Sequence, residues 1–231
     1  MSNWEIISDE ASIVLVGNMN PKIFHPEWFI RKRIVEEWDY SQDQLISLPD
    51  MAQMELPNDR KILALLNQFS IRSSRASEYL ALKDLVMSTF TLLSETPILQ
   101  IGMNYTSVIK IVNQDKWMKF GSQLAPQQYW KNAAKFINSL DEDKQKELGL
   151  WELTMNLPRP DDLAGYVRPK IAVLPQAGIY TLALSVNNHV DIERHSAATM
   201  TKILDENWDK SLSLAKEITS NIIESQLGAE K

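Results

Sequence analysis

Apolar residues along this chain recur with two clear periods, and they divide it into strands and helices. Residues 12–16 are a short, mostly apolar run ending at Gly17, the pattern of a strand buried on both faces. A turn follows at Asn18-Met-Asn-Pro21. Pro26 and Glu27 suit the first turn of a helix, because proline loses no needed N–H there and an acid complements the dipole. Trp28, Phe29, Ile34, Val35 and Trp38 then form its apolar side. Residues 45–56, broken at Pro49, and residues 61–72 are two further strand candidates around the turn Pro57-Asn-Asp59. Residues 75–94 carry Tyr79, Leu80, Leu82, Leu85, Val86, Phe90 and Leu93 at helical spacing. Residues 98–112 alternate most cleanly, with Leu99, Ile101, Met103, Tyr105, Ile109 and Ile111 on one face.

This β-α-β-β-α-β order predicts a ferredoxin-like first half. After it the spacing predicts a short helix over 115–120 and a longer one over 126–140 that buries Tyr129, Trp130 and Phe136. Residues 151–157 alternate as an amphipathic strand, and 167–174 with 179–192 read as a hairpin. A helix over 197–227 closes the chain. The second half thus reads β-α-β-β-β-α, and the fold class is α+β, a mixed or antiparallel sheet with helices layered on it. The expected division is 1–113 and 114–231, two units on a shared sheet or one single domain.

With 231 residues and 44% hydrophobic content, the chain hides roughly 70% or more of the surface its unfolded form exposes. It has no cysteine, which excludes disulfides, thiolate zinc sites and cysteine nucleophiles. The apolar runs are far shorter than the roughly 20 residues of a membrane-spanning helix. The first residues lack the basic and apolar regions of a signal peptide. A cytoplasmic location with no membrane association is the expectation. The net charge of -6 argues against nonspecific nucleic-acid binding, which needs clustered Lys and Arg. Arg31-Lys-Arg33 is expected as the solvated side of the first helix.

Four groups are candidates for chemistry. Gly17-Asn-Met-Asn-Pro21 with His25 resembles the Gly-x-Phe-Asn-Pro-x-His element of the nucleotidylyltransferase family, and Ile71-Arg-Ser-Ser-Arg75 resembles that family's serine-rich phosphate element. The resemblance implies a nucleotide- or phosphate-binding enzyme using Asn18, Asn20, His25, Arg72, Ser74 and Arg75. The family's paired histidines and consecutive βα units are absent here. Asparagines that satisfy turn backbone are the alternative reading. In Asn188-His-Val-Asp-Ile-Glu-Arg-His195, strand geometry puts His189, Asp191 and Glu193 on one face, and His195 in the next turn completes a set able to ligate a divalent metal. The wet face of a half-buried strand has the same pattern. Serines 73, 74 and 77 beside Arg72 and Arg75 suit either an anion site or a helix cap. The acidic pairs Asp141 and Asp143, Asp161 and Asp162, and Asp205 and Glu206 read as surface charge. No cofactor is predicted.

Gly102-Met-Asn-Tyr105 in the long strand, the later strand ending in Val190-Asp191 and the amphipathic last helix together resemble a sporadically distributed group of uncharacterised prokaryotic proteins. That resemblance implies a bacterial or phage origin and an accessory role in a defence or mobile-element system. The favoured expectation is a noncatalytic interaction protein that docks a protein partner or a second copy. Any of the seven tryptophans left outside would mark the interface.

Overall fold

Two fourteen-residue strands, β1 (Trp4–Gly17) and β6 (Ile98–Ile111), lie side by side and antiparallel at the centre of the computed structural model. The structure describes residues 3–40, 45–145, 148–193 and 195–227. Around the central pair the chain builds one nine-stranded antiparallel sheet in the order β2-β3-β4-β5-β1-β6-β9-β8-β7. The remaining strands are β2 (Ile46–Ser47), β3 (Met51–Leu56), β4 (Arg60–Leu65), β5 (Gln68–Ser73), β7 (Glu152–Thr154), β8 (Gly165–Val173) and β9 (Thr181–Asp191).

The order is the same outward from each central strand. β5 and then β4 follow β1, while β9 and then β8 follow β6. A helix leaves each inner neighbour: α2 (Tyr79–Leu92) after β5, and α6 (Ala197–Leu227) after β9. Both pack on the same face of the sheet and against each other. The covered face is apolar, with Ala11, Ile13, Leu15, Phe69, Ile71, Ile101, Met103, Leu184 and Val186 buried beneath Leu82, Val86, Met200, Leu204 and Trp208. Trp208 also donates its indole N–H to the Tyr79 carbonyl at 3.0 Å, tying the start of α2 to α6. The opposite face carries small and polar residues such as Ser12, Val14, Ser70, Gly102, Asn104 and Asn187.

Several expected elements differ. Residues 61–72 are a hairpin, because Leu65 pairs directly with Gln68 across a two-residue turn. Six strands, rather than four, therefore precede residue 112. The first helix, α1 (Pro26–Arg31), stops early because Arg33 takes a left-handed φ of 55°. Arg31-Lys-Arg33 is thus at a helix end instead of along its solvated side. Ile34, Val35 and Trp38 still pack against the core. Between β6 and β7 lie α3 (Gln114–Leu124), α4 (Gln127–Ala133) and α5 (Glu142–Gln145). The helix expected over 126–140 breaks into α4 and a 3-10 turn over Lys135–Ser139. Tyr129, Trp130 and Phe136, expected inside, are exposed by more than half. No helix among the described residues is long and apolar enough to cross a membrane.

Candidate functional site

β5 is only six residues long, and its pairing with β1 ends at Ala11↔Ser73. The chain then turns away through the 3-10 turn Ala76–Glu78 into α2. Residues 4–10 of β1 consequently pair with β6 alone among the described residues. In the matching half, β9 runs eleven positions along β6, from Gln100↔Asp191 to Lys110↔Thr181. One outer edge of the central pair is therefore covered along its length, and the other has no strand neighbour over residues 5–10 among the described residues. A register shift between Ile6 and Ser8 marks a bulge at Ile7. Ile6 and Ile7 are both about half exposed at this edge.

Beside this edge a cavity of about 270 Å³ opens between the covered sheet face and the helices. Its floor is set by register: Asp9 faces Ser107, and Ala11 faces Tyr105. Lys216, Thr219 and Ile223, at helical spacing on α6, form the roof, and Tyr79 at the start of α2 forms a wall. Tyr79 and Tyr105 are each 5% exposed and Ser107 is 1% exposed. Asp9 and Ser107 both interact with the Tyr105 phenol, while Tyr79 Oη is enclosed without a partner among the described residues. The cavity thus gathers several polar side chains beside the sheet edge.

The electrostatics agree with this geometry. Burial first, and then the charges of Asp9 and Glu10, push the Tyr79 phenol up to about 12. Burial and the neighbouring Asp9 carboxylate also raise Tyr105. Both phenols stay protonated near neutral pH and can donate or accept. The Lys216 ammonium stands 5.7 Å from the Tyr79 ring centroid and 5.6 Å from that of Tyr105. Spacing alone identified Tyr79 and Tyr105 as core residues, and nothing in the sequence distinguished Asp9 or Lys216 from surface charge. Only the pairing of Asp9 with Ser107 across β1 and β6 brings these groups together.

The residues expected from sequence are distributed elsewhere. Asn20 Oδ1 accepts the Lys22 N–H at 3.3 Å, and His25 Nδ1 accepts the Glu27 N–H at 3.4 Å, so both cap short helical turns. Asn18 and Asn20 line a crevice with residues 92–97 after α2. Arg72 pairs across from Ser12, five strand positions or roughly 17 Å from Gly17. The Gly17-to-His25 turn and the Arg72-to-Arg75 group therefore lie at opposite ends of β5. Arg72 is held by Glu10 at 3.1 Å. The Ser74 N–H donates to Asp59 Oδ2 at 3.0 Å and its hydroxyl bonds the same oxygen, which holds the Asp59 carboxyl below its usual range. The Arg75 N–H donates to Ser73 Oγ at 3.1 Å.

His189 and Asp191 do meet, at 3.2 Å, on the uncovered sheet face. There the His189 ring stacks on Tyr166 at 4.4 Å, and the Arg168 guanidinium lies 3.9 Å from the same tyrosine ring. Asp191 and Glu193 line one crevice with Lys202 and Glu206, and His195 lies just before α6. Arg194 lies outside the described residues. Among the described residues no group of three or more His, Asp or Glu side chains is placed to hold a metal ion. Arg159, from the loop before β8, was not singled out by sequence. It grips Asp161 at 2.8 and 2.7 Å and the His189 carbonyl at 2.9 Å, which keeps the Asp161 carboxyl low and anchors that loop over the end of β9.

No protein-family model matches the chain, and no curated protein matches it.

Proposed function

We propose that this protein is a noncatalytic interaction protein whose partner lends an extended strand to the open edge of β1. The carrying observation is the stretch 5–10, with a strand neighbour on one side only among the described residues and a polar cavity beside it. Antiparallel pairing turns every second residue's N–H and C=O away from the existing neighbour, so such an edge presents a ready row of donors and acceptors. An added strand gains main-chain hydrogen bonds for affinity and side-chain pockets for selectivity. The symmetry of the sheet supports the reading, because β9 already fills the equivalent place beside β6. The exposed Trp130 and Trp151, at 58% and 68%, support an interaction role as well.

The ferredoxin-like reading of the first half belongs to the same proposal. Its support is the order β4-β5-β1-β6, in which α2 carries the chain from β5 past β1 to β6. In this reading β2 and β3 are an added hairpin. An accessory role in a prokaryotic defence or mobile-element system is a further part of the proposal.

Selection of peptides from a random ten-residue library tests strand addition directly. Selected peptides should slow amide exchange within residues 5–10. N-methylation of alternate peptide residues should abolish binding in one phase and spare it in the other, since only every second amide faces β1. Binders that protect other regions, or that ignore N-methylation in both phases, would overturn the proposal.

A further inference from the structure

We infer that the segment from α3 to the turn after α4 rests on an anionic lipid surface. Tyr129, Trp130 and Phe136 enter the headgroup layer, and Lys131 and Lys135 meet the lipid phosphates. The inference is independent of strand addition, which uses the edge of β1. Residues 116–140 contain four lysines, at 116, 119, 131 and 135, and no acid, in a chain whose net charge is -6. Neighbouring acids are matched within the fold: Asp141 meets Lys144 at 3.8 Å, and Glu152 meets Lys170 at 2.8 Å. Asp115 lies in the first turn of α3, where the helix dipole suits an acid.

α4 contains no buried residue. Asn138 Nδ2 donates to the Lys131 carbonyl at 3.2 Å, which folds the 3-10 turn Lys135–Ser139 back beside α4. Within this unit Tyr129 and Phe136 are each 66% exposed, and Trp130 is 58% exposed. Gln127 Nε2 donates to the Leu148 carbonyl at 2.7 Å, three residues before the exposed Trp151. Large rings and lysines thus share a short helix and turn whose outer side packs on nothing among the described residues.

Residue types separate the occupants. Protein interfaces enrich aromatic residues but are depleted in lysine. Single-stranded nucleic acid binds in cationic grooves whose rings line the path, whereas these rings point outward from an unburied helix. Trp and Tyr beside Lys is the composition of membrane-interface anchors, with the rings at headgroup level and the ammonium groups drawn to anionic lipid. This departs from the expectation of no membrane association. That expectation drew on the lack of a spanning run, and lying on a surface needs none.

Flotation with two kinds of vesicle tests this: phosphatidylcholine containing phosphatidylserine, and phosphatidylcholine alone. The anionic vesicles should bind the protein at least ~30-fold more tightly, with an affinity that falls as salt rises. Hydrogen exchange of the bound protein should slow within residues 127–139. Lys131→Gln combined with Lys135→Gln should lower affinity for anionic vesicles about 30-fold. Trp130→Ser combined with Phe136→Ser should lower it at least ~10-fold. Thermal unfolding checks that both double variants remain folded. No binding to anionic vesicles, equal binding to both kinds, or binding that survives both double variants would overturn the inference. So would an oligothymidine or a polyglutamate peptide that protects residues 127–139 more tightly than the vesicles do, which would assign the surface to nucleic acid or to an acidic protein. Strand addition is read at residues 5–10 and stands or falls separately.

Discussion

The two halves of β1 are one continuous strand in two different environments. Residues 11–16 run between β5 and β6, and Ala11, Ile13 and Leu15 are wholly buried beneath α2 and α6. Residues 5–10 pair with β6 on one side and with no second strand among the described residues, and Glu5, Ile6, Ile7 and Ser8 are exposed. The backbone is extended throughout. The difference lies in the neighbours: β5 ends after six residues, so the strand beyond Ala11 loses half of its lateral pairing. A strand's stability is thus supplied locally by whatever flanks it, and an interrupted flank leaves an edge ready for another chain.

This contrast should be largest in hydrogen exchange. Outward amides in residues 5–10 should exchange faster than amides of residues 12–15 by roughly a thousandfold or more, since the latter open only with much of the sheet. Comparable protection in both halves, measured on the isolated protein, would break the distinction. Core truncation should separate them next. Leu15→Ala should destabilise by about 3–4 kcal/mol in urea unfolding, and Ile6→Ala by less than ~1 kcal/mol, because Ile6 is already half exposed.

Alkaline titration probes the cavity that joins the two halves. The folded state raises the Tyr79 phenol to about 12 from an ordinary value near 10, and it therefore favours the neutral form. The associated stability is complete below about pH 10 and is lost as pH rises from there through about 12. Tyr105 shifts in the same direction. Phenolate absorbance should show Tyr79 and Tyr105 titrating above the ordinary phenol value near 10, and unfolding in urea should become easier across that interval. A single ordinary transition for all tyrosines would contradict an enclosed cavity.

The smallest effect is the most diagnostic. Tyr79→Phe removes a buried hydroxyl with no partner and should leave stability unchanged or raise it by up to about 1 kcal/mol. Thr219→Val, in the same cavity wall, removes a hydroxyl that donates to the Ala215 carbonyl at 2.8 Å and should cost about 1 kcal/mol. Equal losses in both variants would mean that Tyr79 has a hydrogen-bond partner in solution.

Legibility in the sequence followed burial. β6, β9 and α6 were readable because long apolar periods record a face that is always covered. The first half of β1 was not readable: the bulge at Ile7 breaks the alternation, and Glu5, Ser8, Asp9 and Glu10 resemble a polar approach to a strand beginning at Ser12. Asp191 beside His189 was legible, since residues two apart in a strand share a face. The Tyr166 ring stacked on His189 comes from β8, and its placement depends on sheet register. Tyr129, Trp130 and Phe136 show the opposite failure. Their spacing suits a buried helical face, but the helix breaks near Ala134 and leaves them outside.

The sequence by itself determined the alternation of strands and helices, the apolar face that each presents and the absence of thiol chemistry, because these depend on residue type and local period. The tertiary structure alone decided that β5 is too short to cover β1, and that Asp9, Tyr79, Tyr105, Ser107 and Lys216 surround one cavity. Those facts depend on pairing register and helix placement between residues up to two hundred positions apart, which no local pattern encodes.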